Sequence, residues 1–261
     1  ALAPGSVGAA DTLGADPHLP AAQGFGGKGR RTPGGGAGTV LADQYRTRGS
    51  AFAYECHPES PYAKWSFDSR EWPGGFGRQI VGDTWISHHG EHGAQSTRGV
   101  IEPRHALHPI LRGVEDVWGP SDVYAIEHLL PTDIVLLRGQ VLSGMKPNDP
   151  PVEGPLNQPM MPLLWARERD VVAAPDGTPR PSQRIVGSTI GASVDLQCED
   201  LRRALVNAAY WCVRLDAAIP ERADVTPVGR YEPTFFGFGK AKPGVLPRDH
   251  ALPAGDAHEK R

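Results

Sequence analysis

Three histidines crowd one short run of the chain. His88, His89 and His92 lie in Gly82–Gly93, which reads G-D-T-W-I-S-H-H-G-E-H-G. An imidazole can hold zinc through a ring nitrogen, and its ordinary pKa near neutrality also suits it to moving protons. Spacing bears on the first of these. In an extended strand His88 and His92 point the same way but sit ~13 Å apart along the chain. Zinc–nitrogen bonds are only ~2.0–2.1 Å long, so no ion could span that gap. In a helix or tight turn the same two residues come within ~6 Å of each other and could share one. Gly90 and Gly93 argue for a turn. His88 and His92 are therefore the candidate metal ligands and a divalent ion such as zinc the candidate cofactor, with Glu91 or Asp83 as further ligand or orienting partner. His88, His89 and His108 are the candidate acid–base groups. The plainer alternative is that His88 and His89 are hydrogen-bonded structural residues at a strand end, and that His108 belongs to a His-Pro turn.

These side chains must be positioned by the elements around them. Phe76–Val81 reads as one helical turn with Phe76, Ile80 and Val81 inward, ended by Gly82. Asp83–Ser87 reads as a strand entry, with Thr84, Trp85 and Ile86 as its content. Further strands are expected at Ser96–Glu102, Asp122–Leu129, Ile134–Val141, Met160–Ala166 and Arg184–Ile190. Pro162 argues for an edge position or a bulge in the fourth of these. Gly144–Pro159 is a Pro/Asn/Asp-rich loop long enough to suggest a functional or family-specific insertion. From about Leu196 to Leu215, apolar residues at Leu201, Leu205, Ala208, Trp211, Cys212 and Leu215 mark one face of a helix. Glu199 and Asp200 suit its first turn, and Ser193 or Asp195 is its expected cap. A strand, a short Gly191-Ala192-Ser193 loop and a helix are the layout in which α/β sheets place binding groups.

Composition bounds the rest. The 261 residues suffice for one large domain or two small ones, and their net charge of -3 offers no basic footprint for nucleic acid or for a membrane surface. No apolar run approaches the ~20 residues of a spanning helix. Cytoplasmic is the default compartment, with secreted or periplasmic the alternative should the natural N-terminus lie elsewhere. Cys56, Cys198 and Cys212 are too few for a disulfide framework, and none sits at a strand-to-helix elbow. In residues 1–50 half the positions are Gly, Ala or Pro, without helical or strand periodicity. Gly24, Gly26 and Gly29 have a dinucleotide-loop spacing, but Ala and Pro precede them and Arg30, Arg31 and Pro33 follow. Low-complexity glycine accounts for them better. Three divisions follow: 1–55, a low-complexity, disordered or aberrant segment; 56–218, an α/β domain; and 219–261, an irregular Pro/Gly-rich tail with aromatics at Tyr231, Phe235, Phe236 and Phe238.

Several motifs, taken in order, resemble the ThuA-like (trehalose-utilisation) family. They are G-D-T-W-I-S-H-H-G, H-P-I-L-R-G-V from His108, D-V-Y at Asp122–Tyr124, W-A-R from Trp165, S-T-I-G-A-S-x-D from Ser188, and the helix L-R-R-A-L-V-N-A-A-Y-W. The resemblance covers about Ser60 to Leu215. It implies an α/β flavodoxin-like, class I glutamine-amidotransferase-like three-layer sandwich, here with incomplete N-terminal strands. It also implies a role in bacterial carbohydrate metabolism, with a small-molecule sugar as partner, and leaves a homo-oligomer open. The family's pocket positions would fall on His88 or His89, His108, Tyr124 and the Gly191-Ala192-Ser193 loop. Many relatives carry Gly-His where this chain has Gly191-Ala192, so one pocket imidazole is absent. The expected activity is hydrolysis or isomerisation of a sugar or glycoside. The alternatives are a non-catalytic carbohydrate-binding module of the same fold and a truncated product without function.

Overall fold

The computed structural model describes residues 5–9, 11–14, 70, 71, 73, 77–83, 86–170, 173, 176–235 and 243–250, the first two segments as backbone only. The Gly24–Gly29 spacing, Cys56, the aromatics of 60–67, Phe76, Thr84, Trp85, Phe236 and Phe238 lie outside the described residues.

The strands are β1 (Gly5–Ala9), β2 (Asp11–Gly14), β3 (Thr97–Ile101), β4 (Val117–Gly119), β5 (Ile134–Val141), β6 (Met161–Arg169) and β7 (Gln183–Ser188). They form one sheet in the order β2-β1-β7-β6-β5-β3-β4. The five strands from β3 to β7 pair antiparallel throughout; β1 alone runs parallel to its neighbour β7 and antiparallel to β2. The helix α1 (Glu199–Cys212) is the only α-helix among the described residues.

This overturns the expected three-layer α/β sandwich. A parallel doubly wound sheet needs a crossover, usually helical, between successive strands. Here the described residues of 142–160 and 170–182, which join β5 to β6 and β6 to β7, contain turns and one short 3-10 helix, Pro155–Asn157. Neighbouring strands therefore return antiparallel.

The apolar strands were misleading because both faces of the sheet are covered. On one face Leu164, Ala166 and Val186 pack with Leu201, Ala204, Ala208 and Trp211 of α1. On the other, Trp165 and Ile185 pack with Ile80, Val81, Ile126 and Leu129. Strands buried on both faces read as continuous apolar runs, the usual mark of a parallel α/β sheet. The second covering layer is a single π-type turn and irregular chain rather than an α-helix.

Local expectations fared better. Gly77–Val81 is one π-type helical turn with Ile80 and Val81 buried, and Gly82 ends it at φ +130°. The Trp165 Nε1 donates to Val81 O at 2.8 Å, fastening that turn to the sheet. Pro162 lies in a central strand, opposite Arg138, and the β5–β6 register shifts at Leu137/Arg138, so the bulge reading holds and the edge reading does not. Residues 122–129 form no strand; Tyr124 makes an isolated bridge to His88. In α1, Leu201, Ala208, Trp211 and Cys212 are buried as expected, whereas Leu215 lies beyond the helix and is exposed. Among the described residues, no helix is long and apolar enough to cross a membrane.

Candidate metal centre

The histidine segment and residues 122–128 run side by side. Ala125 N donates to Ser87 O at 3.0 Å, and both His89 N and Gly90 N donate to Val123 O, at 2.8 and 3.0 Å. A Cβ at Gly90 would lie in ordinary contact with Val123 N at 3.4 Å and Asp122 Cβ at 3.5 Å, so the two segments are closely packed there. The chain then turns through residues 92–94, with Gly93 at φ +77°. The turn alternative for His88 and His92 is the one realised, and their ring centroids are 5.5 Å apart.

Both rings close on one carboxylate. His88 Nδ1 lies 2.6 Å from Asp122 Oδ2, and His92 Nδ1 lies 2.8 Å from Asp122 Oδ1. The histidine side chains are about one-third exposed (35% and 34%), while that of Asp122 is 1% exposed. A buried acidic group is tolerated when it is paired and hydrogen-bonded, as here. A carboxylate only accepts, so each Nδ1 carries the proton in this arrangement.

His88, His92 and Asp122 form a group that could hold a metal ion, with one ligand atom from each lying within 4.8 Å of the others. The donor set fits: two imidazoles and a carboxylate are ligands for zinc and for several other divalent transition metals. Tetrahedral zinc with bonds near ~2.1 Å sets ligand atoms ~3.4 Å apart. The 2.6 and 2.8 Å contacts would have to open slightly to seat an ion. Three protein ligands leave a coordination position for water or substrate.

Aromatic rings flank this group. Tyr124 meets His88 edge-on at 5.4 Å between centroids, and Phe235 lies against His92 at 5.8 Å. The segment carrying Phe235 is tied to the Gly191-Ala192-Ser193 loop. Tyr231 Oη donates to Ser193 O at 2.5 Å, and Ser193 Oγ donates to Thr234 O at 3.5 Å. Burial raises the Tyr231 phenol above its ordinary value, against the opposing charge of Arg202, which keeps the hydroxyl a donor.

The structure thus brings His88, His92, Tyr124 and, through residues 231–235, the 191–193 loop to one place. It does not bring His89, whose Nε2 donates to Leu156 O at 2.9 Å in the long 144–159 loop. Nor does it bring His108. That ring packs on Trp211 at 5.4 Å, and its Nδ1 accepts Ile110 N at 3.3 Å. Burial, with the positive charges of His105 and Arg184 beside it, pushes the His108 imidazole down to about 4. Neither Asp83 nor Glu91 joins the group. Asp83 accepts Glu127 N and His128 N and pairs with the His128 ring, while Glu91 is exposed.

Asp122 is the candidate ligand that spacing along the chain does not reveal. It lies 34 residues from His88 and 30 from His92, beyond any local pattern. Its one sequence signal is the D-V-Y motif of Asp122–Tyr124. The expected cap of α1 also changes. Cys198 occupies the cap position without a side-chain bond, and the Asp195 carboxylate instead accepts the backbone amides of Gly191 and Ala192. Comparison with protein-family models, curated proteins and solved structures finds no match for this chain.

Proposed function

We propose that this chain acts on a sugar or glycoside through a divalent transition metal, zinc being the first choice, held by His88, His92 and Asp122. The observation that carries the reading is the convergence of two imidazoles on one buried carboxylate beside exposed aromatic surface. A metal there would lower the pKa of a bound water and polarise a substrate oxygen, the chemistry that hydrolysis or isomerisation needs. Asp122 orients both imidazoles before an ion binds, and their Nδ1 atoms would give up those protons to become ligands. Tyr124 packs against the His88 ring, and Phe235 forms one wall beside His92. His89 holds the 144–159 loop close to the site through Leu156. The ordered motifs support kinship with ThuA-like proteins and a place in carbohydrate metabolism. The three-layer sandwich of that resemblance forms no part of this proposal.

A second reading is a carbohydrate-binding module without catalysis. It is favoured by the lack, among the described residues, of a third imidazole at the site: Gly191-Ala192 supplies none, and His108 is seated against Trp211. Incubating the zinc-loaded chain with a panel of glycosides and free aldoses and ketoses, followed by NMR, separates the two. Turnover that disappears in His92→Ala supports the first. Ligand-induced shifts without turnover support the second. Neither turnover nor shifts would contradict both.

A further inference from the structure

Asp195 is fully buried, and its carboxylate accepts backbone amides from the adjoining 191–192 loop and from Ser121, a residue far away in the chain. Oδ2 accepts Gly191 N at 3.0 Å and Ala192 N at 2.8 Å. Oδ1 accepts Ser121 N at 3.0 Å. On its other side the Ser121 carbonyl accepts the Thr97 hydroxyl of β3 at 2.6 Å. The residue immediately before Asp122 is thus clamped at both its amide and its carbonyl. The approach is tight: a Cβ at Gly119 would meet Asp195 Oδ1 at 2.6 Å. The same carboxylate holds the 191–193 loop, to which the segment bearing Phe235 is tied.

From this geometry we infer that Asp195 is the positioning residue for the metal-binding carboxylate of Asp122, joining the ligand, the 191–193 loop and the aromatic wall into one rigid unit. The inference rests on the reading of His88, His92 and Asp122 as metal ligands. Groups that orient metal ligands from outside the coordination sphere typically contribute about 10- to 100-fold in metal affinity. Asp195 acts one step further back, through the peptide that carries the ligand. An ionised carboxylate can face three N–H donors. A primary amide in its place sets an NH2 against at least one of them, whichever way it turns.

The test compares zinc affinity and the visible spectrum of the cobalt(II)-substituted full chain in wild type, Asp195→Asn, Thr97→Val and Ala208→Gly. The last destabilises α1 away from the site and controls for general loss of stability. Asp195→Asn should weaken zinc binding by about 10-fold or more and change the cobalt(II) spectrum. Thr97→Val should weaken it in the same direction by less, and Ala208→Gly should leave affinity and spectrum as in wild type. Unchanged affinity and spectrum in Asp195→Asn would overturn the inference, as would equal weakening in Ala208→Gly. If Asp195→Asn does not fold, Thr97→Val decides by the same two readings. A wild-type chain that folds and takes up no metal would overturn the ligand assignment itself, and this inference with it.

Discussion

Asp122 and His92 are 30 residues apart in the chain and 2.8 Å apart in space. Their contact depends on the pairing of residues 87–90 with 123–125 and on the turn that Gly93 permits. Backbone pairing brings the two segments together, and the turn then swings His92 back beside His88. The remaining side chains around this contact divide into those that serve the site and those that hold up the sheet beneath it.

His89 belongs to the supporting group, although it sits next to the proposed ligand His88 in sequence. His89→Ala should retain metal binding at wild-type stoichiometry. It should lose about 1 kcal/mol of stability, the usual net value of one hydrogen bond, here that to Leu156 O. Parallel metal analysis and urea unfolding check both halves.

Trp165 carries the second face of the sheet. Its ring occupies the space a side chain at residue 187 would need, and it also contacts the space above Gly82. Gly187→Ala should cost about 1–3 kcal/mol through overpacking, read as a lower urea midpoint at unchanged slope. A neutral outcome would mean that the indole has room to move, against the tight seating described.

Arg167 and Asp133 form a two-pronged ion pair with both bonds at 2.6 Å, and both side chains are almost wholly buried. Arg167→Met should destabilise the fold by about 3–5 kcal/mol, because it strands a buried carboxylate. Adding Asp133→Leu should recover much of that loss in the same unfolding assay.

The His108 imidazole supplies a pH dependence. Its folded value of about 4 lies below the ordinary 6.5, so the unfolded chain binds the proton more readily. Stability from this group is complete above pH 6.5 and is lost as pH falls towards 4, with an upper size of about 3 kcal/mol. His108→Gln should flatten the stability–pH curve between pH 6.5 and 4. An unchanged slope would show that the ring is not buried as a neutral group.

Local pattern carried much of this structure. The period of Leu201, Ala208 and Trp211 located α1, and Ile134–Val141 was legible as β5 to the residue. Gly90 and Gly93 pointed to the turn that joins His88 and His92. The arrangement of strands was not legible, because Leu163–Ala166 would look the same under a helical layer as under the π-type turn and irregular chain of 77–83 and 123–129. Polar residues with distant partners were equally hidden. Arg203 and Asn207 lie on α1 yet are buried, bound to carbonyls of Gly113, Ile110 and Arg112. Asp122 and Asp195 belong with them, since the partners that define their roles come from other segments.

The most direct test of the metal centre is the metal content of the purified full-length chain, with and without added zinc, in wild type, His92→Ala and Asp122→Asn. A thermal melt on each sample shows that it is folded. The account predicts one divalent ion per wild-type chain and only trace metal in both variants, each still melting in one transition. A folded wild-type chain without metal, or variants that bind as wild type does, would contradict it.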